Sequence, residues 1–151
     1  MESPPPPAAA DPGPPDAATA AVRALVRAAR LLEAACEGLS LPHYRVLASV
    51  ADGNERASRL AARLALGKPA ISVAVESLCS RGLLSRSEVP GDQRAICLRL
   101  TEEGARLLTE LEAAMAARLD AVAGHAPDRA ALLDALGELG PAIDAWRAGP
   151  R

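Results

Sequence analysis

The sequence predicts a mainly α-helical protein interrupted by one small β-hairpin, and three observations carry that expectation. Half of the residues are apolar, yet aromatics make up 1%, with a single Trp146, a single Tyr44 and no Phe. A core of Leu, Val, Ile and Ala suits packed helices, and apolar residues do recur at helical spacing through most of the chain. The exception runs from Val89 to Gly104, where Pro90-Gly91-Asp92 signals a turn and Ala95 to Leu100 alternates as a strand does. At 151 residues the chain is long enough for one domain with a core and too short for two sizeable ones.

Each element can be justified in turn. Residues 1–16 hold seven of the thirteen prolines and read as a disordered, Pro/Ala-rich tail. From Ala17 a stripe of Val22, Leu25, Val26, Ala29 and Leu32 predicts a helix over 17–37, with Gly38 as its stop. Ser40-Leu41-Pro42 opens a second helix that turns Val46, Leu47 and Val50 inward and ends by Asp52-Gly53. A short helix over 57–64 places Leu60, Ala61 and Leu64 on one face. After the break at Leu66-Gly67 another begins at Lys68-Pro69, with Ile71, Val75 and Leu78 inward and Gly82 in the left-handed cap position.

Leu83–Glu88 and Ala95–Leu100 then form the hairpin, with Ile96, Leu98 and Leu100 on one face and Cys97 and Arg99 on the other. This reading puts Asp92 and Arg94 at its tip. Thr101-Glu102-Glu103 opens a long helix to about Gly124, its stripe carried by Leu107, Leu108, Leu111, Met115, Leu119 and Val122. Pro127-Asp128 starts a last helix with Leu132, Leu136, Leu139, Ile143 and Trp146, which Gly140-Pro141 should kink or break. The terminal helices, 17–37 and 102–147, carry more apolar surface than so small a chain can cover. A homodimer with these helices at its interface follows.

Charge is distributed unevenly. The net charge is −2, but residues 55–99 hold eight Lys/Arg against four acids, a net of +4, which leaves a net of −6 elsewhere. A basic middle between acidic ends is the asymmetry of a chain that turns one part towards a polyanion. Cys36, Cys79 and Cys97 form no Cys-x-x-Cys pair, and neither histidine sits at metal-ligand spacing. No cofactor or metal motif, nucleophile–base pair or phosphate loop is found, so the chain is read as no enzyme. With no apolar run near 18 residues and no signal-peptide pattern, it is read as a reduced, cytoplasmic protein without a membrane span.

Two short helices joined by a tight break, the second followed at once by a hairpin, make a winged helix-turn-helix over 41–101. A recognition helix is held by its inner face while its outer face enters a major groove. With Ile71, Val75 and Leu78 inside, the outer face is Pro69, Ser72, Val73, Glu76 and Ser80. Lys68, at the positive end of the helix, is placed to meet a phosphate. Arg59 and Arg63 are a like-charge i, i+4 pair, either a solvated face or further phosphate contacts. For Glu76 two readings stand: acceptance from cytosine N4, or an intramolecular pair with an arginine.

The run from Ser58 to Ser72, Ser-Arg-Leu-Ala-Ala-Arg-Leu-Ala-Leu-Gly-Lys-Pro-Ala-Ile-Ser, resembles the MarR family of winged helix-turn-helix regulators. So do Leu41-Pro42-His43-Tyr44-Arg45-Val46-Leu47, Arg81-Gly82-Leu83-Leu84-x-Arg86, Asp92-x-Arg94 and Leu98-x-Leu100-Thr101-x-x-Gly104, in the family's order. The likeness extends from about Ala17 to Trp146. It implies a homodimeric transcriptional regulator, most simply a ligand-responsive repressor, on a pseudo-palindromic double-stranded DNA operator. It implies that Asp92 orients Arg94 into the minor groove, and it places Arg86 with the DNA-facing set. It also implies a small-molecule effector near the dimer helices, with His43, Tyr44 and Arg45 as candidate ligand residues. His43 stands where the family commonly has glutamine, and Val73 where it often has arginine. Some members sense peroxide through a first-helix cysteine, which makes Cys36 the redox candidate. The alternatives are a winged-helix protein-interaction module without DNA readout, and a cysteine-based redox regulator.

Overall fold

The computed structural model describes residues 16–36, 38–53, 60, 64, 67–89 and 92–149. The order is α1 (Ala17–Ala35), α2 (Leu41–Ala51), α3 (Lys68–Ser80), β1 (Leu84–Val89), β2 (Asp92–Leu100), α4 (Glu102–Ala123) and α5 (Arg129–Ala148). The expected tail lies outside the described residues apart from Asp16. So does most of the short helix expected over 57–64, of which Leu60 and Leu64 are described, both helical and both buried.

The starts of α1, α4 and α5 follow side-chain chemistry. Asp16 accepts from the Thr19 amide at 2.8 Å, and the same hydrogen bonds hold its carboxyl below the usual carboxylate range. Thr101 and Asp128 cap α4 and α5 in the same way. The end of α1 comes at Ala35, two residues before the expected Glu37, because the Cys36 amide turns back to the Glu33 carbonyl. At the end of α3, Gly82 sits at φ 71° and two bonds close the helix. They run from Leu83 N–H to the Leu78 carbonyl and from Gly82 N–H to the Cys79 carbonyl, a Schellman cap that only a residue tolerant of positive φ completes.

The core lies where α2, α3, α4 and the wing meet. Val46, Leu47, Leu60, Leu78 and Leu98 are fully buried there, with Val75, Leu83, Leu84, Leu108 and Met115 around them. The packing is aliphatic throughout, as the near absence of aromatics requires. At α1, only Ala35 is buried within the helix, and Val22, Leu25, Val26 and Leu31 are exposed.

Two expectations are corrected. The strands are antiparallel, with Leu84 opposite Leu100 and Glu88 opposite Ile96, but β2 begins at Asp92. The strand thus starts three residues before the expected Ala95, with Asp92 in the outermost pair of the ladder and Arg94 two residues on. The register jumps from Glu88↔Ile96 to Val89↔Asp92, so residues 93–95 bulge out of the ladder. The second correction concerns Pro141, which does not break the last helix: α5 continues from Arg129 to Ala148 with Pro141 inside it. No residue of α5 is buried, so water can satisfy the Gly137 carbonyl that the missing proline N–H leaves free.

Candidate nucleic-acid interface

The candidate interface is built on α3. Its inner residues Ile71, Ala74, Val75 and Leu78 are at most 5% exposed, whereas Pro69, Ser72, Val73, Glu76 and Ser80 all face outward. Val73 is 67% exposed. This is the two-faced helix the spacing predicts, one side locked into the core and the other open. Gly67 caps the N-terminus of α3 and has no side chain of its own to occupy the first amides. Ion pairs join Arg106 to Glu103 and Glu110, and Arg129 to Asp120, and these three do not involve Glu76. For Lys68, Asp92 and Arg94 the backbone alone is described, and Arg59 and Arg63 lie outside the described residues.

The wing is held at its base. Leu84 and Leu98 are buried and Leu100 half-buried, while Arg86, opposite Leu98, is exposed. Thr101 ties three elements together at this point. Its amide donates to the Leu83 carbonyl at 3.1 Å, its hydroxyl donates to the Gly82 carbonyl at 2.7 Å, and that oxygen accepts from the Gly104 amide at 3.0 Å. Gly104 is there because nothing larger fits: a Cβ would stand 2.0 Å from the Leu83 carbonyl oxygen. The Leu-x-Leu-Thr-x-x-Gly run is thus the joint by which the end of α3, the wing and α4 share one rigid corner. The sequence supplied the cap, but the close approach depends on the tertiary crossing.

Residues 43–45 are engaged structurally. His43 Nδ1 lies 2.7 Å from the Ser40 hydroxyl, and its Nε2 is buried without a hydrogen-bond partner among the described residues. Burial first, then the Arg81 charge, pushes its pKa below the ordinary 6.5. Arg81 itself donates to the Gly38 carbonyl at 2.8 Å, pinning the end of α3 to the α1–α2 connection. Burial, then the negative charge of Glu112, raises the Tyr44 phenol. Arg45 donates to the Leu64 carbonyl at 2.6 Å, a clamp onto the segment before α3 that sequence reasoning missed.

None of these three lines the open groove of about 380 Å³ between the end of α1 and α4. Ala35, Leu107, Glu110, Leu111, Ala114 and Arg118 form that groove. Its polar ends, Glu110 and Arg118, were readable as helical residues but not as groove residues, since their placement depends on where α1 crosses.

Cys36 is 4% exposed, its thiol 3.4 Å from the Leu32 carbonyl and 3.7 Å from the Met115 sulfur. Burial and then the Glu33 charge push its pKa up, which favours the neutral thiol over the reactive thiolate. Among the described residues there is no group of His, Cys, Asp and Glu that could hold a metal, and no helix is long and apolar enough to cross a membrane.

Comparison with known proteins gives a consistent result. Residues 37–95 match the family model described as MarR family. No curated protein matches the chain. Among solved structures it is similar to a MarR-family transcriptional regulator from Rhodococcus sp. RHA1, at 23% identity and TM-score 0.71 over 86% of this chain and 91% of that one. CouR from Rhodococcus jostii RHA1, solved bound to p-coumaroyl-CoA, is 24% identical with TM-score 0.70, over 90% of this chain and 94% of that one. Wild-type MarR from E. coli, in its apo form, is 18% identical with TM-score 0.70, over 83% and 96%.

Proposed function

From a winged helix-turn-helix segment that matches the MarR family, set in the fold of MarR-family transcriptional regulators, we infer that this chain is a sequence-specific DNA-binding regulator. The observation that carries the reading is α3, with four apolar residues locked inward and an open outer face beside the wing. In this reading Pro69, Ser72, Val73 and Glu76 enter a major groove. Lys68, Arg59, Arg63 and Arg86 meet phosphates, and Arg94, braced by Asp92, reaches the adjacent minor groove. The bulge at residues 93–95 supports the last assignment, since it takes that stretch off the flat ladder.

The working unit is a homodimer. Its interface would take up Val22, Leu25, Val26, Leu139, Ile143 and Trp146, all exposed in the single chain. Two α3 helices related by a two-fold axis match a pseudo-palindromic operator, and repression follows when that operator overlaps a promoter. Response to a small molecule is supported by the groove between α1 and α4, with one acid and one arginine among apolar neighbours. A ligand wedged there would shift α4, and through Thr101 and Gly104 the wing. The site of action is the cytoplasm, with the DNA.

Mobility shift of the full-length protein on DNA upstream of its own gene tests this directly. Retardation at low salt, weakened by Arg94→Ala and falling steeply with salt, is the expected result. Absence of any shift at low salt would sink the reading in favour of an interaction module.

A further inference from the structure

The outer face of α3 has an unusual chemical inventory for a helix read as entering a major groove. Beyond Lys68 its sequence is Pro-Ala-Ile-Ser-Val-Ala-Val-Glu-Ser-Leu-Cys-Ser, without Arg, Lys, Asn, Gln or His. Guanine presents two acceptors in that groove and adenine an acceptor beside a donor, and bidentate contact to either needs one of the missing side chains. The polar side chains on the open face are Ser72, Glu76 and Ser80, and the Ser80 hydroxyl already donates to the Ser77 carbonyl at 2.8 Å. At the centre stands Val73, an aliphatic side chain 67% exposed, flanked by Ser72 and one turn from Glu76.

The Ser72 hydroxyl can donate or accept at several bases and so discriminates little. That leaves two features of the major-groove code for such a face to tell apart: the thymine 5-methyl group, which needs an apolar contact, and the cytosine N4 amino group, which needs an acceptor. We propose that Val73 is the specificity-determining residue of α3 and reads a thymine methyl in each operator half-site, with Glu76 accepting from the N4 amine of a nearby cytosine. The proposal rests on the DNA-binding reading above. Val73 and Glu76 are three residues apart, a rise of roughly 4.5 Å along the helix. Stacked base pairs rise about 3.4 Å. The two contacts therefore fall on base pairs one or two steps apart.

The chemistry also excludes. A carboxylate brought against guanine O6 and N7 meets two acceptors with no proton between, and Val73 meets them with no donor, so guanine at either position is rejected. Discrimination by α3 then depends on removing a methyl group from water and on one charged acceptor. Most of the sequence-independent affinity is left to the phosphates and the wing.

The test uses the full-length protein and operators recovered from a random duplex library. Each thymine of the recovered site is replaced in turn by deoxyuridine, which keeps the base pair and removes the methyl. One thymine per half-site is expected to respond, with a loss on the order of four-fold per half-site for one buried methyl. Val73→Ala should bind the natural operator more weakly and lose its sensitivity to that replacement. Val73→Thr, which keeps a methyl, should retain part of it.

If duplexes are enriched but no thymine responds, or Val73→Ala responds like the natural protein, the inference is overturned while the DNA-binding reading stands. If no duplex is bound or enriched, that reading falls and takes the inference with it.

Discussion

Helices α3 and α5 begin from similar sequence patterns and end in opposite situations. Each carries an apolar stripe at helical spacing, but α3 buries Ile71, Ala74, Val75 and Leu78 to 5% exposure or less. In α5 no residue is buried, and Leu139, Ile143 and Trp146 stand at 39%, 41% and 82%. The difference lies in their neighbours. Around α3, the wing strands, α2 and the Arg45 clamp close a complete aliphatic core. α5 touches little beyond the end of α4, where the Arg129–Asp120 pair fastens it. The comparison teaches that this chain holds one finished unit, the winged helix-turn-helix, and terminal helices whose apolar surface the single chain leaves uncovered. An exposed tryptophan with two exposed aliphatics on the same helix is a surface awaiting cover.

The largest expected effect comes from testing how finished the core is. Gly104→Ala puts a methyl 2.0 Å from a backbone oxygen that cannot swing aside, at the joint of α3, wing and α4. Urea denaturation should show a loss of more than about 4 kcal/mol or no folded protein. The control lies in α5, where a Cβ added at Gly137 meets nothing within 4 Å. Gly137→Ala should leave the fold intact and raise stability by up to about 1 kcal/mol through helix propensity. Equal effects at the two glycines would erase the contrast.

Next in size is the uncovered surface. Ile143→Asp puts a charge into the apolar stripe of α5. Sedimentation equilibrium should then show the dimer dissociating at a protein concentration roughly a hundredfold higher, or a monomer throughout, with circular dichroism unchanged. A variant that remains dimeric at natural affinity would move the interface elsewhere.

A smaller effect concerns pH. Because the folded chain holds His43 below its ordinary 6.5, it binds fewer protons than the unfolded chain. The resulting stability is complete above about pH 6.5 and is lost as pH falls through the lower, folded value. Melting curves from pH 8 down to pH 5 should show this decline, and His43→Gln should flatten it. A variant with the same slope would assign the pH dependence to other groups.

Much of this was legible in the residues. The inner and outer faces of α3 followed from spacing alone, and Thr101 announced the start of α4 because an N-cap hydroxyl is local chemistry. The errors came where tertiary context outweighs local rules. Gly140-Pro141 is expected to kink or break the last helix, yet the helix is not broken, since an exposed helix can leave its freed carbonyl to water. The second strand is expected from Ala95, yet pairing of Val89 with Asp92 carries β2 back to Asp92. The roles of Arg45 and Gly104 were hidden for the same reason, since the Leu64 and Leu83 carbonyls they meet arrive from distant parts of the chain. The groove between α1 and α4 depends on a helix crossing that no periodicity reports.

The most direct measurement of the central claim, a finished DNA reader paired through unfinished terminal helices, is a hydroxyl-radical footprint on a bound operator. The account predicts two protected half-sites related by a two-fold axis, centred about one helical turn apart, with two protomers per duplex. A single protected patch bound by one protomer, or protection without dyad symmetry, would contradict it.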